Sequence, residues 1–222
     1  MIAIIISSCG GGGSNESSKL KVESPTSKEV TIGNQVWMTK NLDVDKFRNG
    51  DPIPEAKSNE EWIAASENKQ SAWCYYDNDP KNGEKYGKLY NWYAVIDSRG
   101  LAPKGYHVPS KEELTKLVDY LGENLAGLKL KSASGWDDCK SENLNGTNES
   151  GFFGQPGGFR NWDGGFFWIG SQGTWRSKTI EKLFVNSLPD MYSLKLICGK
   201  DEVLFWKEQM DKMGYSVRCI KD

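Results

Sequence analysis

The sequence predicts an α+β domain, and three observations predict it: two helix starts with capping boxes in the first half, a long Gly- and Trp-rich stretch without sustained period, and short apolar runs gathered in the last third. Helices followed by strands, rather than alternating with them, point away from a parallel βαβ sheet. The expected layout is two helices packed on short antiparallel sheets, with a long Gly/Trp-rich loop region between helices and strands.

Each element follows from local chemistry. In Thr31–Met38 a Gly33-Asn34 pair separates two short apolar runs, which predicts a hairpin. Ser58 followed by Glu61 is a capping box, in which hydroxyl and carboxylate each satisfy an orphan amide, so a short helix should follow. Ala72–Tyr76 is a strand-like aromatic run that stops at Asp77-Asn78-Asp79-Pro80. Leu89, Trp92, Tyr93 and Ile96 fall at i, i+3, i+4 and i+7, predicting a helix from Gly87 to Asp97. Ser110 and Glu113 form the second capping box, followed by Leu114, Leu117, Val118 and Leu121 at helical spacing and by Gly122 as the stop. Gly135 to Gly173 reads as loops. Phe166–Ile169, Lys182–Val185, Glu202–Trp206 and Tyr215–Ile220 alternate as half-buried strands do.

At 222 residues the chain is long enough for one domain and a tail. Lys plus Arg number 28 against 30 Asp plus Glu, so there is no basic excess and a nucleic-acid partner is not expected. Nine Trp, nine Tyr and eight Phe oppose disorder in the folded part. No run reaches the ~18 apolar residues of a spanning helix.

Ile6-Ser7-Ser8-Cys9 resembles a bacterial lipobox, with an aliphatic residue three before the cysteine and small residues between. The resemblance implies that Cys9 carries lipid and that the partner is a membrane, at the bacterial outer membrane or cell surface. No Lys or Arg precedes Cys9, so Met1 is expected to be an internal start of a longer gene product. Residues 1–9 are then the signal remnant, 10–29 a flexible tether too poor in apolar residues to fold, and 30–222 a single domain. Four cysteines remain, Cys74, Cys139, Cys198 and Cys219; an even number in an exported chain favours disulfides, with three connectivities open.

Five segments, TIGNQVWMTKNL (Thr31–Leu42), YGKLYNWYA (Tyr86–Ala94), GYHVPS (Gly105–Ser110), PGGFR (Pro156–Arg160) and GYSVRCIKD (Gly214–Asp222), resemble the Fibrobacter succinogenes major paralogous domain family. That family is similar in layout to the formylglycine-generating group and, through it, to the C-type lectin-like fold. The resemblance therefore implies a C-type lectin-like fold in an exported or lipid-anchored protein, and little biochemistry. Cys74 and Cys219 both sit in shared motifs, which implies that they pair with each other and leaves Cys139 with Cys198.

Catalysis is not expected. His107 is the single histidine and stands just ahead of a helix cap, where a structural hydrogen bond to a loop carbonyl explains it; no cysteine pair aligns with that of the formylglycine-generating relatives. No cofactor is expected. Asp77, Asp79 and Asn82 offer alternating oxygens to calcium, but the spacing is not that of an EF-hand and an Asp/Asn/Pro/Gly turn explains the same residues. In the lectin-like Gln155-Pro156-Gly157 the glycine lacks the carboxylate, and Asn161-Trp162-Asp163 is permuted, which disfavours calcium-dependent sugar binding. The remaining candidates are Phe159, Trp162 and Trp168, whose rings, backed by Arg160, Asn161 and Asp163, could stack on a sugar face or else form the loop's own small core. A ligand face requires Trp162 and Trp168 to be at least partly exposed. The expected function is a non-catalytic binding or adhesion module for a polysaccharide or surface protein; the alternatives are a degenerate formylglycine-generating-type enzyme and a structural envelope protein.

Overall fold

The computed structural model describes residues 25, 27–136, 145–181, 190–208 and 212–222. The first hairpin is the expected one: β1 (Glu29–Ile32) and β2 (Gln35–Met38) pair antiparallel around Gly33-Asn34, with Gly33 at φ 62. A positive φ at the first turn position lets a two-residue turn follow the twist of its strands. Helix α1 (Asn59–Glu67) starts at its capping box, where the Glu61 amide donates to Ser58 Oγ and the Ser58 amide donates to Glu61 Oε2.

The next stretch is more finely divided than its periodicity predicts. β3 (Trp73–Cys74) gives way to a 3₁₀ turn at Tyr76–Asn78 and then to α2 (Pro80–Tyr86), a helix not anticipated although Asp79 and Pro80 are good N-cap and N1 residues. The helix expected from Gly87 to Asp97 is instead β4 (Leu89–Tyr90) followed by α3 (Trp92–Ile96). Two causes split it. Gly87 lies at φ 73, outside helical space, and Asn91 caps α3 by accepting from the Ala94 amide at 3.0 Å. The helical spacing is thus shared between a strand too short to leave a period of its own and a single helical turn.

β5 (Tyr106–His107) precedes α4 (Lys111–Leu121), which begins at Ser110 and ends at Gly122 as expected and buries Leu114, Leu117, Val118 and Leu121. A short α5 (Ala126–Leu130) follows. The remaining elements are β6 (Gly157–Arg160), β7 (Phe166–Ile169), β8 (Gln172–Glu181), β9 (Asp190–Ile197), β10 (Leu204–Glu208) and β11 (Ile220–Lys221). The longest two, β8 and β9, escape the hydrophobic pattern because buried positions on them are polar: Thr174, Arg176, Ser193 and Lys195 are all buried. The strand expected over Tyr215–Ile220 is mostly isolated bridges, from Tyr215 to Tyr90 and from Ser216 to Trp175. Lys182–Val185 lies outside the described residues.

The architecture is α+β. One sheet runs β1-β2-β11-β5, so the last strand lies beside the first hairpin; a five-stranded sheet runs β10-β9-β8-β6-β7; β3 and β4 form a two-stranded ribbon. One core cluster joins α4 to Trp37, Trp136, Phe152, Trp175, Leu194 and Leu196. A second gathers Trp73, Tyr90, Trp92, Met191, Val217 and Cys219. Among the described residues, no helix is long and apolar enough to cross a membrane.

The expected Cys74–Cys219 bridge is not formed: both thiols are free and buried. The alternation of side chains along β3 explains it. Trp73 points into the cluster that holds Cys219, whereas Cys74 points the other way, into a third cluster with Trp62, Tyr76 and Leu89. Burial pushes both thiols up to about 12, so they stay protonated. Cys198 is not among the free thiols; the pairing expected for it involves Cys139, which lies outside the described residues.

Candidate functional site

The candidate ligand residues fall on the hairpin made by β6 and β7, the latter an edge of the five-stranded sheet. Its base is shaped by Gly158, at φ 64, where a Cβ would stand 2.5 Å from the Phe167 carbonyl oxygen and 2.7 Å from the Tyr76 ring. Only glycine fits there. Its tip is a turn in which the Asn161 amide donates to the Gly165 carbonyl at 2.7 Å, while Asp163 Oδ1 accepts from Asn161 Nδ2 at 2.9 Å and from the Gly165 amide at 3.1 Å. Asn161 and Asp163 therefore hold the turn, as Asx residues do.

Arg160 lies behind the hairpin and is 0% exposed. Its guanidinium donates to the carbonyls of Gly164 (3.0 Å), Ala56 (2.9 Å) and Ser58 (2.8 Å) and to Asn59 Oδ1 (3.3 Å), and lies between the rings of Trp62 and Phe166. It ties the hairpin to the start of α1. Phe159 is likewise buried, packed on Phe167, Trp168 and Tyr215. Of the six candidates, then, Phe159 and Arg160 are packing residues, and Trp162 and Trp168 face solvent at 50% and 55% exposure. Phe167, from the same aromatic run, joins them at 42%. Trp168 also sits at φ 65, a left-handed conformation that a bulky side chain rarely adopts.

The opposite edge of the sheet is apolar too. Leu204, Phe205 and Trp206 of β10 are exposed, and Lys195 Nζ lies 4.1 Å over the Trp206 ring. The hydrophobic alternation of this segment predicts only a strand, since nothing local marks a strand as an edge.

The weak metal candidates are engaged in the turn they build. Asp79 Oδ1 accepts from the Lys81 amide at 3.0 Å as the N-cap of α2, Asn82 Nδ2 donates to the Tyr76 carbonyl at 3.0 Å, and Asp77 is exposed at φ 54. His107 bonds to two carboxylates rather than to a loop carbonyl: Nδ1 is 2.8 Å from Asp222 Oδ1 and Nε2 is 2.8 Å from Glu113 Oε1. It thereby links β5 to the end of the chain and to the capping box of α4.

Residues 30–221 match the profile of the Fibrobacter succinogenes major domain. The chain belongs to that family. No curated protein and no solved structure matches it. In this Fibrobacter succinogenes major domain the motifs that carry the resemblance hold the fold. Asn41 Oδ1 accepts from Trp175 Nε1 at 2.7 Å and from Arg218 Nε and Nη2 at 3.0 and 2.6 Å, and Tyr90 Oη donates to the Val44 carbonyl at 2.8 Å. Family membership accordingly carries a fold, and the exposed rings are features of this chain's surface.

Proposed function

We propose that the protein is a non-catalytic binding or adhesion module with a C-type lectin-like fold, lipid-anchored through Cys9 at the bacterial outer membrane or cell surface, with a polysaccharide or surface protein as its ligand. The observation that carries this reading is the exposed trio Trp162, Phe167 and Trp168 on a hairpin braced from behind by Arg160. Leaving about half of each large ring in water forgoes roughly half of the ~1.5–3 kcal/mol that full burial would supply, and Trp168 adds backbone strain. Flat exposed rings on a rigid support stack on the apolar faces of sugars. The non-catalytic reading is supported by the thiols: Cys74 and Cys219 lie in separate clusters with pKa values pushed up to about 12, the reverse of what a thiolate nucleophile needs.

Retention of the full chain on immobilised cell-wall polysaccharides tests the ligand face. Trp162→Ala and Trp168→Ala should each weaken retention about tenfold while changing stability by no more than ~1 kcal/mol. Unchanged retention would remove the hairpin from consideration. The anchor is tested separately: Cys9→Ser in the complete precursor should release the protein from the membrane fraction without detergent, and a variant that stays in the pellet would sink that part of the reading.

A further inference from the structure

A groove of about 390 Å³ lies beside the start of β6, away from the hairpin tip, between the segment that leaves β2 (Lys40, Asn41), helix α2 (Lys81, Glu84, Lys85) and Gln155. That volume is within the range of small-ligand sites. Its charge is uneven. Lys40, Lys81 and Lys85 are exposed, and none has a carboxylate partner among the described residues. Asp43, also on the wall, is taken by Lys88 at 2.5 Å, which leaves Glu84 on a wall shared with Lys40, Lys81 and Lys85, the last of which also holds its Nζ 4.6 Å over the Tyr86 ring.

A buried cation stands directly behind this wall. Arg218 donates to Asn41 Oδ1 and to the Phe152 carbonyl and meets no carboxylate among the described residues. Burial draws its pKa down to about 9. Its acceptors are neutral, so its field is not cancelled at the source, and low-dielectric walls focus such a field into the adjoining cleft. Phe153, which follows Phe152 and lies on the groove wall, is held at φ 56, a left-handed conformation that a bulky side chain rarely adopts.

We propose that this groove binds a carboxylate-bearing sugar, a hexuronate unit of an acidic polysaccharide. The ammonium groups take the carboxylate, and Glu84 and Gln155 take hydroxyls. Glu84 sets the class: as an acceptor among ammonium groups it calls for hydroxyl donors, and a hexuronate unit supplies several of them beside its single carboxylate, so it uses both signs. The site is built from residues other than the aromatic hairpin, so it stands or falls separately from that ligand face.

Titration calorimetry of the full chain with oligogalacturonate tests it, with a neutral cello-oligosaccharide and inorganic phosphate as comparison probes. Oligogalacturonate should bind, more weakly as salt is raised. Lys81→Ala and Lys85→Ala should each weaken binding about tenfold, the size of one lost charge-assisted hydrogen bond. Both residues are exposed, so the melting temperature should hold, and Trp162→Ala with Trp168→Ala should leave this binding intact. The proposal is overturned by no uptake of oligogalacturonate, by equal affinity for inorganic phosphate or the neutral oligomer, by full affinity in both Lys81→Ala and Lys85→Ala, or by loss of binding in the tryptophan variants instead.

Discussion

Replacing Arg160 with alanine is expected to destabilise the domain by about 4–5 kcal/mol, a large share of the roughly 5–15 kcal/mol that holds a typical domain folded. The guanidinium satisfies the carbonyls of Ala56, Ser58 and Gly164 together with Asn59 Oδ1, all at the junction of α1 and the β6–β7 hairpin. Its removal strands the Ala56 and Gly164 carbonyls at roughly 1–3 kcal/mol apiece, while the Ser58 carbonyl keeps its bond from the Trp62 amide and Asn59 is exposed, and it opens a space between the Trp62 and Phe166 rings. Arg160→Lys should recover only part of the loss, because one ammonium cannot reproduce a planar fork that reaches four acceptors. Urea unfolding measures both variants. A cost below about 1.5 kcal/mol for the alanine variant would mean that water replaces the guanidinium without penalty, and the hairpin would not be braced as described.

Trp175→Ala should cost about 4 kcal/mol, within the range for removing a buried indole. Trp175 is 1% exposed, packs edge-on against Phe152 in the cluster beneath α4, lies under the Arg218 guanidinium and donates to Asn41 Oδ1 at 2.7 Å. The Phe variant separates packing from hydrogen bonding. It should lose only about 1–2 kcal/mol, since Asn41 Oδ1 keeps both of its bonds from Arg218 and no acceptor is stranded. Equal losses for the two variants, read from thermal or urea unfolding, would show that the indole N–H rather than the ring volume matters. The half-exposed Trp162 and Trp168 provide the internal contrast, because the same chemical change there removes much less packing.

The difference among these tryptophans was not legible in the chain. Trp162 and Trp168 lie in a Gly-rich stretch that reads equally well as a ligand face or a small core. What separates them from Phe159 is the pairing of β6 with β7 and the position of β7 at an edge of the sheet. The groove was invisible for a similar reason: its lysines come from two segments about forty residues apart, and the buried cation behind them comes from the end of the chain. The family motifs were legible as a fold and misleading as a disulfide, because β3 sends Trp73 and Cys74 to opposite sides.

What the sequence by itself determined are features decided within about four residues: the Gly33-Asn34 turn, the capping boxes at Ser58 and Ser110, the amphipathic stripe of α4 and its Gly122 stop. There a side chain meets its own neighbouring backbone, so identity and spacing suffice. Only the tertiary structure decided that 87–97 is a strand and a helix, that Cys74 and Cys219 stay reduced, and that β8 and β9 are long strands with buried polar positions. In those places a residue's environment comes from distant segments: a partner strand makes Leu89-Tyr90 extended, and Met213 and Tyr215 cover Arg176, which a hydrophobic pattern would have placed in water.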